Sequence, residues 1–129
     1  MNIILDTNFL IYAAKYKIDL IAELDRLYGK YDLIVPHMVF LEIEKLRKGK
    51  GKGKFVASLA LAITKKLIED KKLKIMGVES RNADEEIIKL LELPELGDEI
   101  VATMDSELSR KIKKEVRILK IRQKRYFSE

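Results

Sequence analysis

Two aspartates of this 129-residue chain stand where predicted strands end. Asp6 directly follows an apolar run at 3–5, and Asp105 lies two residues beyond a predicted strand at 100–103. In open α/β sheets, ligands bind just beyond the carboxyl ends of the strands. A single Asp at such a position is better explained as a helix N-cap, but two of them at one sheet edge weaken that explanation. We therefore expect both carboxylates to line a functional site.

Helical periodicity brings two further acids toward the same interior. Asp84 precedes apolar residues of a predicted helix by three, four and seven positions, which places its carboxylate on the inward stripe. Glu42 has apolar helical neighbours at 38, 39 and 46, so it lies on or beside a buried stripe as well. For Asp84 alone, a helix cap and a metal ligand are equally good explanations.

Other acids near these positions have simpler explanations. Glu85 and Glu86 stand four and three residues before Lys89, and this spacing predicts solvent-exposed ion pairs. Asp98 and Glu99 precede the strand at 100–103, so they are expected at the opposite edge of the sheet. The candidate set is therefore limited to four acids: Asp6, Glu42, Asp84 and Asp105.

Four converging carboxylates indicate a particular chemistry. Without a metal they would repel one another and some of their pKa values would rise. The chain has one His and no Cys, and oxygen-only ligands favour hard cations such as Mg²⁺ or Mn²⁺. Acidic clusters that hold one or two such ions hydrolyse phosphodiesters, because the ions prepare the attacking water and stabilise the leaving oxygen.

The charge of the whole chain points to a polyanionic partner. Lys and Arg number 26 against 21 Asp and Glu, a formal net charge of +5. A basic shell around an acidic pocket suits a nuclease, since the shell can hold the phosphate backbone. The absence of Cys fits a reducing compartment such as the cytoplasm, and no apolar run approaches the ~20 residues of a membrane span. We expect no membrane association and no signal peptide.

The predicted elements form one α/β domain over residues 1–129. Short apolar strands are predicted at 3–5, 33–35, 73–76, 100–103 and 117–121, each separated from the next by helical segments. This alternation predicts a five-stranded parallel sheet flanked by helices on both faces, a three-layer arrangement. The Gly- and Lys-rich segment at 48–54 is predicted to be an irregular loop.

The order and spacing of these motifs resemble the PIN-domain ribonucleases. The matching motifs are Ile-Leu-Asp-Thr-Asn at 4–8, Leu-Glu-Ile-Glu-Lys-Leu at 41–46, Ala-Asp-Glu-Glu-Ile at 83–87 and Val-Ala-Thr-Met-Asp at 101–105. The resemblance implies a PIN-like fold and Mg²⁺- or Mn²⁺-dependent cleavage of single-stranded RNA. It also implies a catalytic, metal-binding quartet of Asp6, Glu42, Asp84 and Asp105. Supporting polar groups would be Thr7, Asn8 and Thr103.

The carboxyl-terminal part of the chain refines this resemblance. Residues 110–126 are similar to the archaeal and eukaryotic branch linked to small-subunit ribosomal RNA maturation, which implies pre-ribosomal RNA as the substrate. Met104 stands where many members carry Asn before the last Asp.

Seven cations are candidates for RNA binding. They belong to the 48–54 segment and to the carboxyl-terminal tail: Lys48, Lys50, Lys52, Lys54, Arg122, Lys124 and Arg125. For the first segment a solvated loop is a serious competing explanation. Tyr126 and Phe127 either stack on bases or seal the edge of the sheet. His37, the single histidine, is expected to be structural or exposed.

Three other functions can be compared with the sequence, and two of them are compatible with it. A toxin of a toxin–antitoxin pair would share the acidic quartet and would bind an antitoxin protein. A non-catalytic RNA-binding assembly module would keep the fold, but degenerate members usually lose acids. A phosphoacceptor receiver domain is excluded, since the third predicted strand ends at Met76-Gly77 without the required Asp. A homodimer is a further compatible partner arrangement.

Overall fold

The structure, a computed structural model, describes residues 1–129. Six strands and six helices alternate along most of the chain. In order they are β1 (Asn2–Leu5), α1 (Thr7–Lys15), α2 (Leu20–Leu27), β2 (Asp32–Pro36), α3 (His37–Arg47), α4 (Lys52–Glu69), β3 (Leu73–Met76), α5 (Ala83–Leu91), β4 (Glu99–Ala102), α6 (Ser106–Lys111), β5 (Arg117–Arg122) and β6 (Tyr126–Ser128).

The strands form one sheet in the order β3-β2-β1-β4-β5-β6. The first five strands are parallel, and β1 lies between β2 and β4, with Ile4 paired to both Ile34 and Val101. The carboxyl ends of β1 and β4 are therefore side by side, as the positions of Asp6 and Asp105 predict.

Both faces of the sheet are covered by helices, which confirms the three-layer prediction. Successive strand residues point to opposite faces. Ile3 and Leu5 accordingly enter a core of 23 buried residues shared with α1, α2, α3 and α4. Ile4 enters a smaller core of eight residues shared with α5 and α6. No helix is both long enough and apolar enough to cross a membrane.

The sheet has six strands where the sequence predicted five. The sixth, β6, pairs antiparallel with β5 and places Phe127 opposite Ile121. Its turn is built from Gln123 and Lys124, both in the left-handed region with φ of 51° and 56°. Short hairpin turns are usually recognised in a sequence by Asn-Gly or Gly-rich pairs. This turn contains neither, so no hairpin is indicated here by the sequence. Phe127 is fully buried, so it seals the sheet edge and is not available to stack on bases.

The predicted loop at 48–54 is shorter than expected. Helix α4 begins at Lys52, so Lys52, Gly53 and Lys54 form its first turn and only 48–51 connect α3 to α4. Gly51 precedes the helix with φ of 86°, a conformation that favours glycine.

Candidate active site

The four predicted acids line one cavity of about 600 Å³ at the carboxyl edge of the sheet. Each is positioned by a different helix start or helix face: Asp6 before α1, Glu42 on α3, Asp84 in the first turn of α5, and Asp105 before α6. Thr7 and Asn8 also line the cavity. Elements from the whole length of the chain therefore meet at this edge.

Asp6 serves as a helix cap inside this cavity. Its side chain is 4% exposed, and Oδ1 accepts a hydrogen bond from the backbone N–H of Thr7 at 2.8 Å. Burial raises the pKa of Asp6; the hydrogen bonds from Thr103 and Thr7 oppose this, and the charges of Asp84 and Glu42 add to it. Asp6 can therefore cap α1 and also take part in a functional site, because its carboxylate is close enough to Asp84 and Glu42 to feel their charges.

Thr103 joins the ends of β1 and β4. Its hydroxyl, fully buried, donates to Oδ2 of Asp6 at 2.8 Å and accepts from the backbone N–H of Asp105 at 3.0 Å. Asp105 in turn caps α6, with Oδ1 accepting from the backbone N–H groups of Glu107 and Leu108 at 2.8 and 3.2 Å. Thr103 thus contacts two of the four acids.

Glu42 and Asp84 complete the acidic lining. The hydroxyl of Thr7 donates to Oε2 of Glu42 at 2.5 Å, which ties α3 to the start of α1. Burial raises the pKa of Asp84, the charge of Asp105 adds to this, and Lys111 opposes it. Charge therefore couples the acids in three pairs: Asp6 with Glu42, Asp6 with Asp84, and Asp84 with Asp105.

Glu86 is a residue that the sequence prediction placed wrongly. It is 1% exposed and accepts from the backbone N–H of Met38 at 2.7 Å and of Val78 at 3.2 Å. Helix α3 follows Pro36, which offers no capping side chain, so Glu86 supplies an acceptor from α5. In the sequence, Glu86 stands four positions before Leu90, an apolar residue of the same helix, and this spacing could have indicated that Glu86 points inward. Glu85 does form the predicted pairs, with Arg81 and Lys89.

The predicted basic segments divide into two groups. Lys50 and Lys54 line the acidic cavity together with Lys45, which the sequence prediction did not single out, whereas Lys48 and Lys52 are exposed outside its lining. No acid lies within ion-pair distance of these five lysines.

The tail cations lie elsewhere. Lys124 and Arg125 line a different cavity, of about 380 Å³, that shares no residue with the acidic one. Arg122 is exposed at the end of β5 and donates to the hydroxyl of Ser128 at 3.2 Å.

His37 and Met104 both lie outside the lining of the acidic cavity. His37 is exposed at the first position of α3. The sulfur of Met104 accepts from the backbone N–H of Ile121 at 3.3 Å. Met104 therefore holds β5 rather than the acids.

The donor set fits a hard divalent cation, although the four acids do not converge on one point. All four candidate ligands are carboxylates, the ligand type that Mg²⁺ and Mn²⁺ prefer. No three acidic or His side chains converge as a ready-made metal cluster. Binding a cation therefore requires the side chains to turn toward a common point within the cavity they share.

Comparisons with known proteins agree with the fold and with the motif order. A family model described as a PIN like domain matches residues 3–124. Ribonuclease VapC4 of Methanocaldococcus jannaschii is 36% identical over 131 residues, which cover 98% of this chain and 94% of that protein. The solved PIN domain endonuclease Utp24 has a TM-score of 0.75 and 27% identity, over 96% of this chain and 89% of its own.

A more distant structure shares the fold alone. VapBC2 from Rickettsia felis, solved bound to a DNA fragment from their promoter, has a TM-score of 0.58 at 16% identity. The match covers 94% of this chain and 99% of that chain. The architecture is thus retained far beyond the range in which the sequences are recognisably similar.

Proposed function

Since this chain belongs to the PIN-like domain family and is a PIN-domain ribonuclease, we propose that it cleaves single-stranded RNA internally in a Mg²⁺- or Mn²⁺-dependent reaction. The observation that carries the proposal is the shared cavity of Asp6, Glu42, Asp84 and Asp105. Helix capping accounts for the positions of Asp6 and Asp105 but not for their sharing a cavity with Glu42 and Asp84, where burial first and neighbouring acids second raise the pKa values of Asp6 and Asp84.

The chain's own residues supply distinct parts of the reaction. The four acids would hold the metal, which supplies a Lewis acid and an activated water when bound. Thr103 and Thr7 fix Asp6 and Glu42 through their hydroxyls. The unpaired ammonium groups of Lys45, Lys50 and Lys54 at the same cavity bind the phosphates on either side of the cleaved bond.

The finer proposal is a role in ribosomal RNA maturation. It rests on the resemblance of residues 110–126 to the small-subunit branch, and the likeness to the endonuclease Utp24 at 27% identity supports internal cleavage. Under this proposal, pre-ribosomal RNA is the natural substrate.

The test is a cleavage assay on single- and double-stranded RNA and DNA, with Mn²⁺, with Mg²⁺ and with EDTA. We expect internal cleavage of single-stranded RNA only when a divalent ion is present, and loss of cleavage in Asp6→Asn. Asn is as good a helix cap as Asp, but the substitution removes a full negative charge from a hard metal site. Cleavage by Asp6→Asn at the wild-type rate would reject the proposal.

A second candidate is the toxin of a toxin–antitoxin pair, which the 36% identity to the ribonuclease VapC4 favours. The two roles differ in their cellular effect. A toxin should arrest growth when expressed alone, and Asp6→Asn should restore growth. A ribosomal RNA processing enzyme should leave growth of a foreign host unaffected and should cut pre-ribosomal RNA at a defined site. An antitoxin partner would be recovered with the tagged protein from its own cells only under the toxin role.

A further inference from the structure

The exposed side of α1 carries an aromatic stripe that begins at the acidic cavity. Asn8 lines that cavity, and Tyr12 and Tyr16 follow at intervals of four residues, so all three share one side of the helix. Tyr12 is 38% exposed, and its ring centroid lies 6.2 Å from that of Tyr16. Eight residues of helix advance about 12 Å, so the stripe leads away from the acids across the surface.

Cations surround the far end of this stripe. The Nζ atoms of Lys15 and Lys124 lie 5.4 and 5.5 Å from the ring centroid of Tyr16. Tyr16 also shares a cavity with Lys17, Lys124 and Arg125. None of these cations has an acid within ion-pair distance.

The two acids of that second cavity are already engaged. Asp19 caps α2 by accepting from the backbone N–H of Ala22 at 3.1 Å. Glu23 accepts from Arg26 and from the backbone N–H of Phe127. The cations are therefore left to face solvent or a partner, and the aromatic ring beside them is that of the half-buried Tyr16. Exposed aromatic rings interleaved with free cations are the pattern of single-stranded nucleic acid binding, in which bases stack and phosphates pair with cations.

We propose that the substrate RNA strand leaves the acidic cavity along α1, with bases stacking on Tyr12 and Tyr16 and phosphates held by Lys15, Lys17, Lys124 and Arg125. We name this surface the α1 track. It rests on the proposed function, since an RNA strand cut at the acids must continue over a neighbouring surface. It also gives Lys124 and Arg125 a role although they lie outside the acidic cavity.

The test measures binding and cleavage separately. Binding of a fluorescent oligouridine 15-mer is followed by anisotropy in EDTA, where no cleavage occurs. Loss of stacking on alanine substitution corresponds to between about 5-fold and about 140-fold in Kd per base, so Tyr12→Ala with Tyr16→Ala should weaken binding by at least about 5-fold. Tyr12→Phe with Tyr16→Phe keeps both rings and should bind as the wild type does.

Tyr126 provides the matched control. It is 37% exposed, close to the value for Tyr12, and follows the same basic turn. Phe127 packs against Phe9 of α1 with ring centroids 4.8 Å apart, so Tyr126, the preceding strand residue, points to the sheet face away from α1. Tyr126→Ala should therefore leave Kd unchanged, and equal weakening by both variants would overturn the α1 track.

A second variant guards against misfolding of the tyrosine variant. Lys124→Ala with Arg125→Ala should make the fall of log K with log salt less steep, by up to about 0.7 per lost contact on a single strand. An unchanged slope in the cation variant together with an unchanged Kd in the tyrosine variant overturns the α1 track.

If the wild type binds RNA through these residues but never cleaves it, the proposed function fails while the α1 track stands. With cleavage, the tyrosine variant should raise KM for the 15-mer and leave kcat unchanged.

Discussion

At the scale of single residues, Asp6 joins two requirements that usually conflict. It caps α1 as an ionised acceptor would, yet burial and two neighbouring acids raise its pKa above the ordinary 3.8. An acid whose folded-state pKa is raised costs the folded state stability as the pH rises from the ordinary to the raised value. The metal-free protein should therefore carry an electrostatic penalty at neutral pH that a bound divalent ion relieves.

Asp6→Asn should reveal that penalty. In EDTA at pH about 7 we expect the variant to melt at the wild-type temperature or higher, because the penalty is removed and the cap is kept. The difference should shrink as the pH falls to about 3, where Asp6 is largely protonated in both folded and unfolded chains. Added Mn²⁺ should stabilise the wild type more than the variant. Thermal melts with and without Mn²⁺ measure all three effects, and a variant less stable than the wild type at neutral pH would contradict the account.

Glu86 is the residue whose position decides how α3 and α5 meet. Each of its carboxylate oxygens accepts from one backbone N–H. In Glu86→Gln one oxygen becomes an N–H₂ group facing a donor, so one buried N–H loses its acceptor, a cost of about 1–3 kcal/mol. Urea unfolding measures this loss. Since Glu42 lies on α3 and Asp84 on α5, Mn²⁺ stabilisation should weaken as well.

Glu85→Gln is the control for this prediction. Hydrogen bonds from Arg81 and Lys89 lower the pKa of Glu85 to about 2, but the pairs are on the surface. Surface pairs contribute little, so the variant should lose much less stability than Glu86→Gln and should keep its response to Mn²⁺. If the two variants behaved alike, Glu86 would not be a positioning residue.

The contrast between Glu86 and Asp84 shows what the sequence could predict at this scale. Asp84 lines the cavity as its apolar neighbours three and four positions away indicate, because they define an inward stripe. The same test applied to Glu86 points inward through Leu90, but Lys89 three positions away offered a competing ion pair. Local spacing cannot decide between the two, because the deciding partners, Met38 and Val78, come from other elements.

At the scale of elements, the connection between α3 and α4 separates lysines that are close in sequence. Lys50 and Lys54 line the acidic cavity, whereas Lys48 and Lys52 do not. The sequence could not predict this division, because its glycines and lysines indicate only a uniform loop. Because α4 begins at Lys52, Lys52 and Lys54 are two positions apart in a helix, and their side chains therefore lie on different sides of it.

This division predicts unequal effects on RNA binding. Lys50→Ala with Lys54→Ala should weaken binding of single-stranded RNA and reduce the salt slope by up to about 0.7 per lost phosphate contact. Lys48→Ala with Lys52→Ala removes the same charge from the same segment and should have a clearly smaller effect. Anisotropy titrations at several salt concentrations compare the pairs. Equal losses would mean that the segment acts only through its total charge.

At the scale of the whole molecule, the carboxyl-terminal strand ties distant parts together. The backbone of Phe127 bonds to Arg26 and Glu23 of α2, and its ring packs on Phe9 of α1 at 4.8 Å. The side chain of Glu129 accepts from Tyr28 at 2.7 Å and pairs with Arg117 at 3.2 Å. The parallel sheet was predictable from alternating apolar runs, whereas this antiparallel strand was not, because three residues leave no periodicity to read.

Phe127→Ala tests how much the fold depends on this closure. Phe127 is fully buried, and truncating a buried Phe to Ala usually costs about 3–5 kcal/mol from lost transfer energy and the remaining cavity. Small domains have only about 5–15 kcal/mol of total stability, so the urea midpoint should fall sharply with little change in m-value. Tyr126→Ala, on the exposed side of the same strand, should change the midpoint only slightly. A loss below about 1 kcal/mol for Phe127→Ala would show that β6 is an appendage to the sheet. A loss in the expected range would mean that α1, and with it Asp6 at its start, is held in place from the opposite end of the chain.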